Sequence, residues 1–145
     1  MNRYLQFAKK GFQKLCNPYF RAKTHYIKYY EKLPLKEDVI LLESQHGENA
    51  SGNIFYLAKE LCRPEYDRFT VYFVMRNKKA EATEKMFRQK GMEKIQVVSL
   101  ASKEYFRLLA TAKYLVNDTT FSPSFIKKIS FIITPYLFPR LTVRY

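Results

Sequence analysis

A chain of 145 residues is about one domain long, and a domain of this size buries roughly two thirds of the surface its unfolded chain exposes. With 47% hydrophobic and 17% aromatic residues it is not a disordered chain, and no run of about 20 apolar residues marks a membrane-spanning helix. The net charge of +13 exceeds what solubility needs and points to an anionic partner.

Most of that charge lies ahead of residue 37, where Arg3, Lys9, Lys10, Lys14, Arg21, Lys23, Lys28, Lys32 and Lys36 stand against Glu31 alone. Tyr4, Leu5, Ala8, Phe12 and Leu15 recur at helical spacing, with lysines elsewhere on the wheel. The lysines interrupt any apolar core, so this is not a secretory signal, and a cytoplasmic chain is expected. A second aromatic and basic stretch, 19–30, follows Pro18, and Pro34 closes the region because a proline pushes its predecessor out of helical geometry. A helix of this kind suits an anionic membrane surface, with Phe12 entering the acyl boundary and Lys9, Lys10, Lys14, Arg21 and Lys23 meeting headgroups. Each such residue contributes about 1 kcal/mol at best. Two alternatives stay open, a helix packed on the fold with a basic outer face, and nucleic-acid binding. The second ranks lower, since no RNP-like strand, helix-turn-helix or zinc spacing accompanies the charge.

Beyond Pro34 apolar runs alternate with amphipathic ones. Strands are predicted over 39–42, 69–75, 95–98 and 114–116, with helices over 51–61, 80–90 and 102–112 between them. Gly91 is suited to cap the second of these helices. Such alternation predicts βαβ units, hence an α/β, Rossmann-like parallel sheet with a basic helical extension ahead of it. The expected division is 1–36 for the extension, 37–128 for the Rossmann-like domain and 129–145 for a tail. In that tail Pro135 and Pro139 are unsuited to a central strand. Cys16 and Cys62 lack metal-ligand spacing and read as reduced thiols, so neither a metal nor a disulfide is expected.

Ligands of open parallel sheets sit outside the carboxyl ends of the strands, which directs attention to the four polar loops there. The first holds Glu43, Ser44, His46, Gly47, Asn49, Ser51, Gly52 and Asn53, and ends at a helix N-terminus whose free amides attract anions. It lacks both the dinucleotide and the P-loop glycine patterns, so no nucleotide cofactor is assigned to it. The competing reading is local: Asn49 or Ser51 caps the helix and the glycines permit the turn. His46 is the candidate base, against an ordinary polar loop residue, with no carboxylate partner visible in the sequence. Asp118, Thr119 and Thr120 could bind hydroxyls or could make a turn or cap. Arg76, Lys78 and Lys79 could meet a phosphate or line a solvated helix entrance.

Two stretches resemble a known family. The run Asp38-Val39-Ile40-Leu41-Leu42-Glu43-Ser44, with Gly47 and Asn53 after it, resembles the opening turn of the CDP-glycerol glycerophosphotransferases of teichoic acid synthesis. Ala-Thr-Ala-Lys-Tyr at 110–114, followed by Asn117 and Asp118, resembles that family's passage from helix to strand to Asp-centred loop. The resemblance covers roughly 38–128. It implies the acceptor-side half of a two-domain transferase in which a hydroxyl of a lipid-linked polyol phosphate attacks CDP-glycerol and CMP leaves, at the cytoplasmic face of the membrane. In the family a Trp-His-Gly-Thr-Pro-Leu-Lys motif carrying the base comes next, and then the donor-binding domain. This chain has no Trp, and from Ile129 it departs from the pattern. A truncation is the expectation, with a tail either native or out of frame, and with CDP-glycerol a substrate of the whole family rather than a ligand of this chain alone.

Overall fold

Helix α1 (Pro18–Lys32) opens the described part of the chain with proline at its first position, where a missing N–H leaves no bond unmade. The computed structural model describes residues 18–119 and 131–133, with side chains from residue 24 to 119. A short turn through Pro34 leads into β1 (Lys36–Glu43), then a 3-10 turn (Gln45–Gly47) and α2 (Gly52–Glu60). A further 3-10 turn (Pro64–Tyr66) precedes β2 (Thr70–Met75), α3 (Asn77–Gln89), β3 (Ile95–Ser99), α4 (Lys103–Thr111), β4 (Ala112–Asn117) and β5 (Phe131–Ile133).

All five strands are parallel and lie in the order β3-β2-β1-β4-β5. Strand β1 is therefore central, and its side chains alternate between two apolar layers as the pleat requires. Val39 and Leu41 face a layer with Tyr26 of α1 and Tyr105, Phe106, Leu108 and Leu109 of α4. Ile40 and Leu42 face the opposite layer, with Ile54 and Ala58 of α2 and Phe87 of α3. Each fully buried Leu or Phe contributes roughly 1.5–3 kcal/mol, so both faces must be covered for the sheet to hold.

The order of strands has one consequence for the site. The chain steps from β1 outward to β2 and β3 along one face, then α4 carries it back across the other face to β4, on the far side of β1. The helix that leaves β1 and the helix that enters β4 thus lie on opposite faces, and the strand order turns back between β1 and β4, the position at which open sheets carry a ligand crevice at the carboxyl ends.

The alternation read from sequence is present, with β1 longer at both ends and α3 starting three residues earlier than expected. Three features differ. Tyr26 of α1 is buried, and Tyr29 and Tyr30 pack beside it, so this part of the 1–36 segment is a layer of the domain. Of the aromatic stretch 19–30, these three tyrosines pack in that layer. Residues Lys9, Lys10, Phe12 and Lys14, called as membrane-facing, lie outside the described residues, as do the side chains of Arg21 and Lys23. Second, β4 begins directly where α4 ends, with Ala112 already extended, so no loop separates them. Third, Phe131–Ile133 pairs with β4 and widens the sheet past residue 128, at the end of the described strand order rather than in a central position. The prolines lie outside it.

Candidate functional site

The carboxyl ends of β1 and β4 are in register, with Glu43 opposite Asn117. Both are buried, at 2% and 0% exposure, and so is Ser44 at 1%. A buried carboxylate must be surrounded by donors. Glu43 has them: the Tyr105 hydroxyl donates to its Oε2 at 2.9 Å, and Asn117 Nδ2 donates to its Oε1 at 3.2 Å. His46 Nδ1 stands 3.4 Å from the same Oε1, close enough for an ion pair and longer than a firm hydrogen bond. Burial, followed by the charge and hydrogen bond of Glu43, pushes the Tyr105 phenol far above its usual range. It stays a neutral donor.

A second bridge closes the crevice floor. Ser44 Oγ donates to Asp118 Oδ2 at 2.6 Å, and the Gln45 amide donates to Asp118 Oδ1 at 2.7 Å. Asn117 Oδ1 meanwhile accepts from the amide and the hydroxyl of Thr119 at 2.6 and 2.7 Å, making an Asx-type turn. One loop is thus bolted to the other.

The turn after β1 is held in left-handed backbone, with φ of 45° at Gln45, 53° at His46 and 74° at Gly47. Only the last is relaxed there, since the other two carry side chains. Glycine is also required for space: a Cβ on Gly47 would stand 2.9 Å from the amide nitrogen of Arg76, whose N–H donates to Gly47 O. The result is a turn pressed against the end of β2 that lifts His46 outward, its side chain 56% exposed.

On the β2 side the basic residues are already engaged. Arg76 Nη1 and Lys79 Nζ reach the two oxygens of Glu48 at 2.6 and 2.9 Å, and Lys79 also donates to Glu48 O. The Lys79 hydrogen bond, ahead of the charge of Arg76, holds the Glu48 carboxyl below its usual value. Lys78 is exposed.

The sequence candidates therefore divide. Glu43, Ser44 and Gly47 are buried, while His46, Asn49, Ser51, Gly52 and Asn53 are exposed, with Asp118 and Thr119 half-buried. Neither capping candidate caps: Ser51 precedes α2 without a side-chain bond to it, and Asn49 Nδ2 donates to Gln45 Oε1. Thr120 lies outside the described residues. Tyr105, Asn117 as a partner of Glu43, and Glu48 were not anticipated in these roles. The register of β1 against β4 would have found Asn117, but pairing is invisible in a single sequence. Among the described residues no group of three or more His, Cys, Asp or Glu could hold a metal, and no helix is long and apolar enough to cross a membrane. The Cys62 thiol donates to Ala58 O at 3.3 Å, and burial pushes its pKa up.

The family described as CDP-glycerol:poly(glycerophosphate) glycerophosphotransferase matches residues 25–134. The chain belongs to this family. The match begins inside α1 and runs through β5, taking in six residues past the boundary expected at 128. A histidine-to-asparagine variant of the wall teichoic acid polymerase TagF has the same fold, with a TM-score of 0.60 at 18% identity over 92% of this chain. The same variant soaked with CDPG gives 0.62 at 17% identity, and TagF without a substitution gives 0.59 at 18%. This glycerophosphotransferase-family chain covers 31% to 32% of the length of those polymerases. No curated protein sequence matches it.

Proposed function

We propose that this domain forms the acceptor side of a glycerophosphotransferase of teichoic-acid-type polymer synthesis, at the cytoplasmic face of the membrane. The observation that carries the reading is the joined carboxyl ends of β1 and β4, where Glu43, Asn117, Ser44 and Asp118 lock two loops while His46, Asn49 and Asn53 remain exposed. Short polar side chains of this kind can take the hydroxyl and phosphate groups of a polyol phosphate. Glycerophosphate transfer needs the acceptor hydroxyl aligned with a donor phosphate and the developing charge stabilised, so acceptor positioning is one share of the work. The donor, CDP-glycerol, is assigned to other parts of the full-length relatives, and the 145 residues alone are expected to perform no transfer. The basic residues Lys9, Lys10 and Lys14 would hold the domain against anionic lipid, where a lipid-linked acceptor is presented.

Isothermal titration separates the two sides. A soluble glycerol phosphate oligomer is expected to bind, CDP-glycerol is not, and a radiolabel assay with lipid-linked acceptor is expected to show no product. Binding and turnover of CDP-glycerol by these residues alone would overturn the division of labour. For the membrane part, flotation with anionic vesicles should fall when Lys9, Lys10 and Lys14 become Glu. Undiminished flotation would remove the electrostatic attachment, and tighter binding to single-stranded oligonucleotides would favour a nucleic-acid role.

A further inference from the structure

The crevice contains a carboxylate and an imidazole in a geometry that transfer chemistry often uses. Glu43 is buried and fixed by Tyr105 and Asn117, so it cannot turn away from His46 Nδ1 at 3.4 Å. His46 itself is exposed and stands on strained left-handed backbone, and such strain is retained where a side chain must be aimed. The other charged groups around the turn are taken. Asp118 accepts from Ser44 and Gln45, and Glu48 is held by Arg76 and Lys79. Glu43 is thus the carboxylate that addresses the ring, reaching it from the core, while more than half of the His46 side chain is open to solvent.

A neutral imidazole has one donor and one acceptor nitrogen, and a carboxylate beside Nδ1 favours the proton there. We propose that Glu43 is a positioning residue that keeps His46 in its Nδ1–H form, leaving the Nε2 lone pair to accept a hydrogen bond from a substrate hydroxyl. The contact shortens when substrate excludes water, since hydrogen bonds of this kind are often long in the free protein. The orientation stands on geometry alone. That the hydroxyl belongs to a polyol phosphate rests on the acceptor reading above.

The chain has only two histidines, so ring nitrogen NMR of the full-length protein labelled with nitrogen-15 histidine resolves both. His25, exposed on α1, is the internal reference. At pH about 8, where free imidazole is neutral, His46 is expected to be mainly Nδ1–H, while His25 shows the Nε2–H preference of free imidazole. A His46 found mainly as Nε2–H in the unaltered protein overturns the proposal without any variant. In Glu43→Leu combined with Tyr105→Phe, which removes the carboxylate together with its buried donor, His46 should revert to the pattern of His25. Persistence of the Nδ1–H form in that folded variant also overturns it. A glycerol phosphate oligomer should then move the His46 Nε2 resonance together with the amides of residues 44–53 and 117–119. Movement of those amides without Nε2 would refute the hydroxyl contact and leave the acceptor reading standing. If no amide moves, the acceptor reading fails, and the tautomer result alone decides the role of Glu43.

Discussion

Glu43 and Glu48 flank one turn and are treated in opposite ways. Glu43 is enclosed by neutral donors from α4 and β4, whereas Glu48 lies at the surface between two cations of the β2–α3 junction. The same functional group therefore has different consequences. A buried network is costly to break because each orphaned partner loses water as well as its bond, while surface pairs are screened and replaceable. The crevice side is built for fixed geometry, and the β2 side only for tethering a turn.

The strongest way to break this contrast is Glu43→Leu. It strands the Tyr105 hydroxyl and the Asn117 amide, and at roughly 1–3 kcal/mol for each buried orphan a loss of about 3 kcal/mol is expected. Thermal denaturation should show a fall of about 10 °C, with part of it regained on adding Tyr105→Phe. A melting temperature that did not move would mean the network is not rigid. Next comes Gly47→Ala, which places a Cβ against the Arg76 amide and keeps an unfavourable φ. A destabilisation of about 2 kcal/mol by urea unfolding is expected, and none at all would show that the turn relaxes freely.

The smallest effect belongs to Glu48→Gln, which should lower the melting temperature only slightly at neutral pH and low salt, because exposed pairs contribute little. The pH dependence gives the finer test. Because the folded carboxyl is held below its ordinary value, its contribution is present above the ordinary carboxylate range and disappears as pH falls through the depressed value. The unaltered chain and Glu48→Gln should therefore converge in stability on acidification and at high salt. Divergence under acid would reverse the assignment.

Apolar runs alternating with helical patterns were enough to predict the sheet and its helices, because burial on both faces leaves β1, β2 and β4 as apolar runs ending at polar residues. Charge was a poorer guide. Lysines and aromatics over 19–30 look alike whether the aromatic face meets lipid or a neighbouring helix, and for Tyr26, Tyr29 and Tyr30 the choice is made by α4, far away in sequence. The site was legible as a set of loops but not as a mechanism. His46 reads as isolated because its carboxylate partner, three residues earlier, belongs to a strand and looks like the end of a hydrophobic run. Only the left-handed turn folds the ring back over Glu43. Tyr105 reads as one more residue on the apolar face of an amphipathic helix, and nothing local marks its hydroxyl as the group that anchors Glu43.

The direction of α1 carries a further consequence. A tight turn through Pro34 returns the chain from α1 into β1, and α1 lies on the sheet face that β1 itself helps build, where Tyr26, Tyr29 and Tyr30 pack beside α4. The helix thus folds back onto the strand that follows it, its 15 residues spanning about 22 Å. A domain cut to begin at β1 would lose the tyrosine cover of Val39, Leu41 and α4 and wet apolar surface that the helix keeps dry.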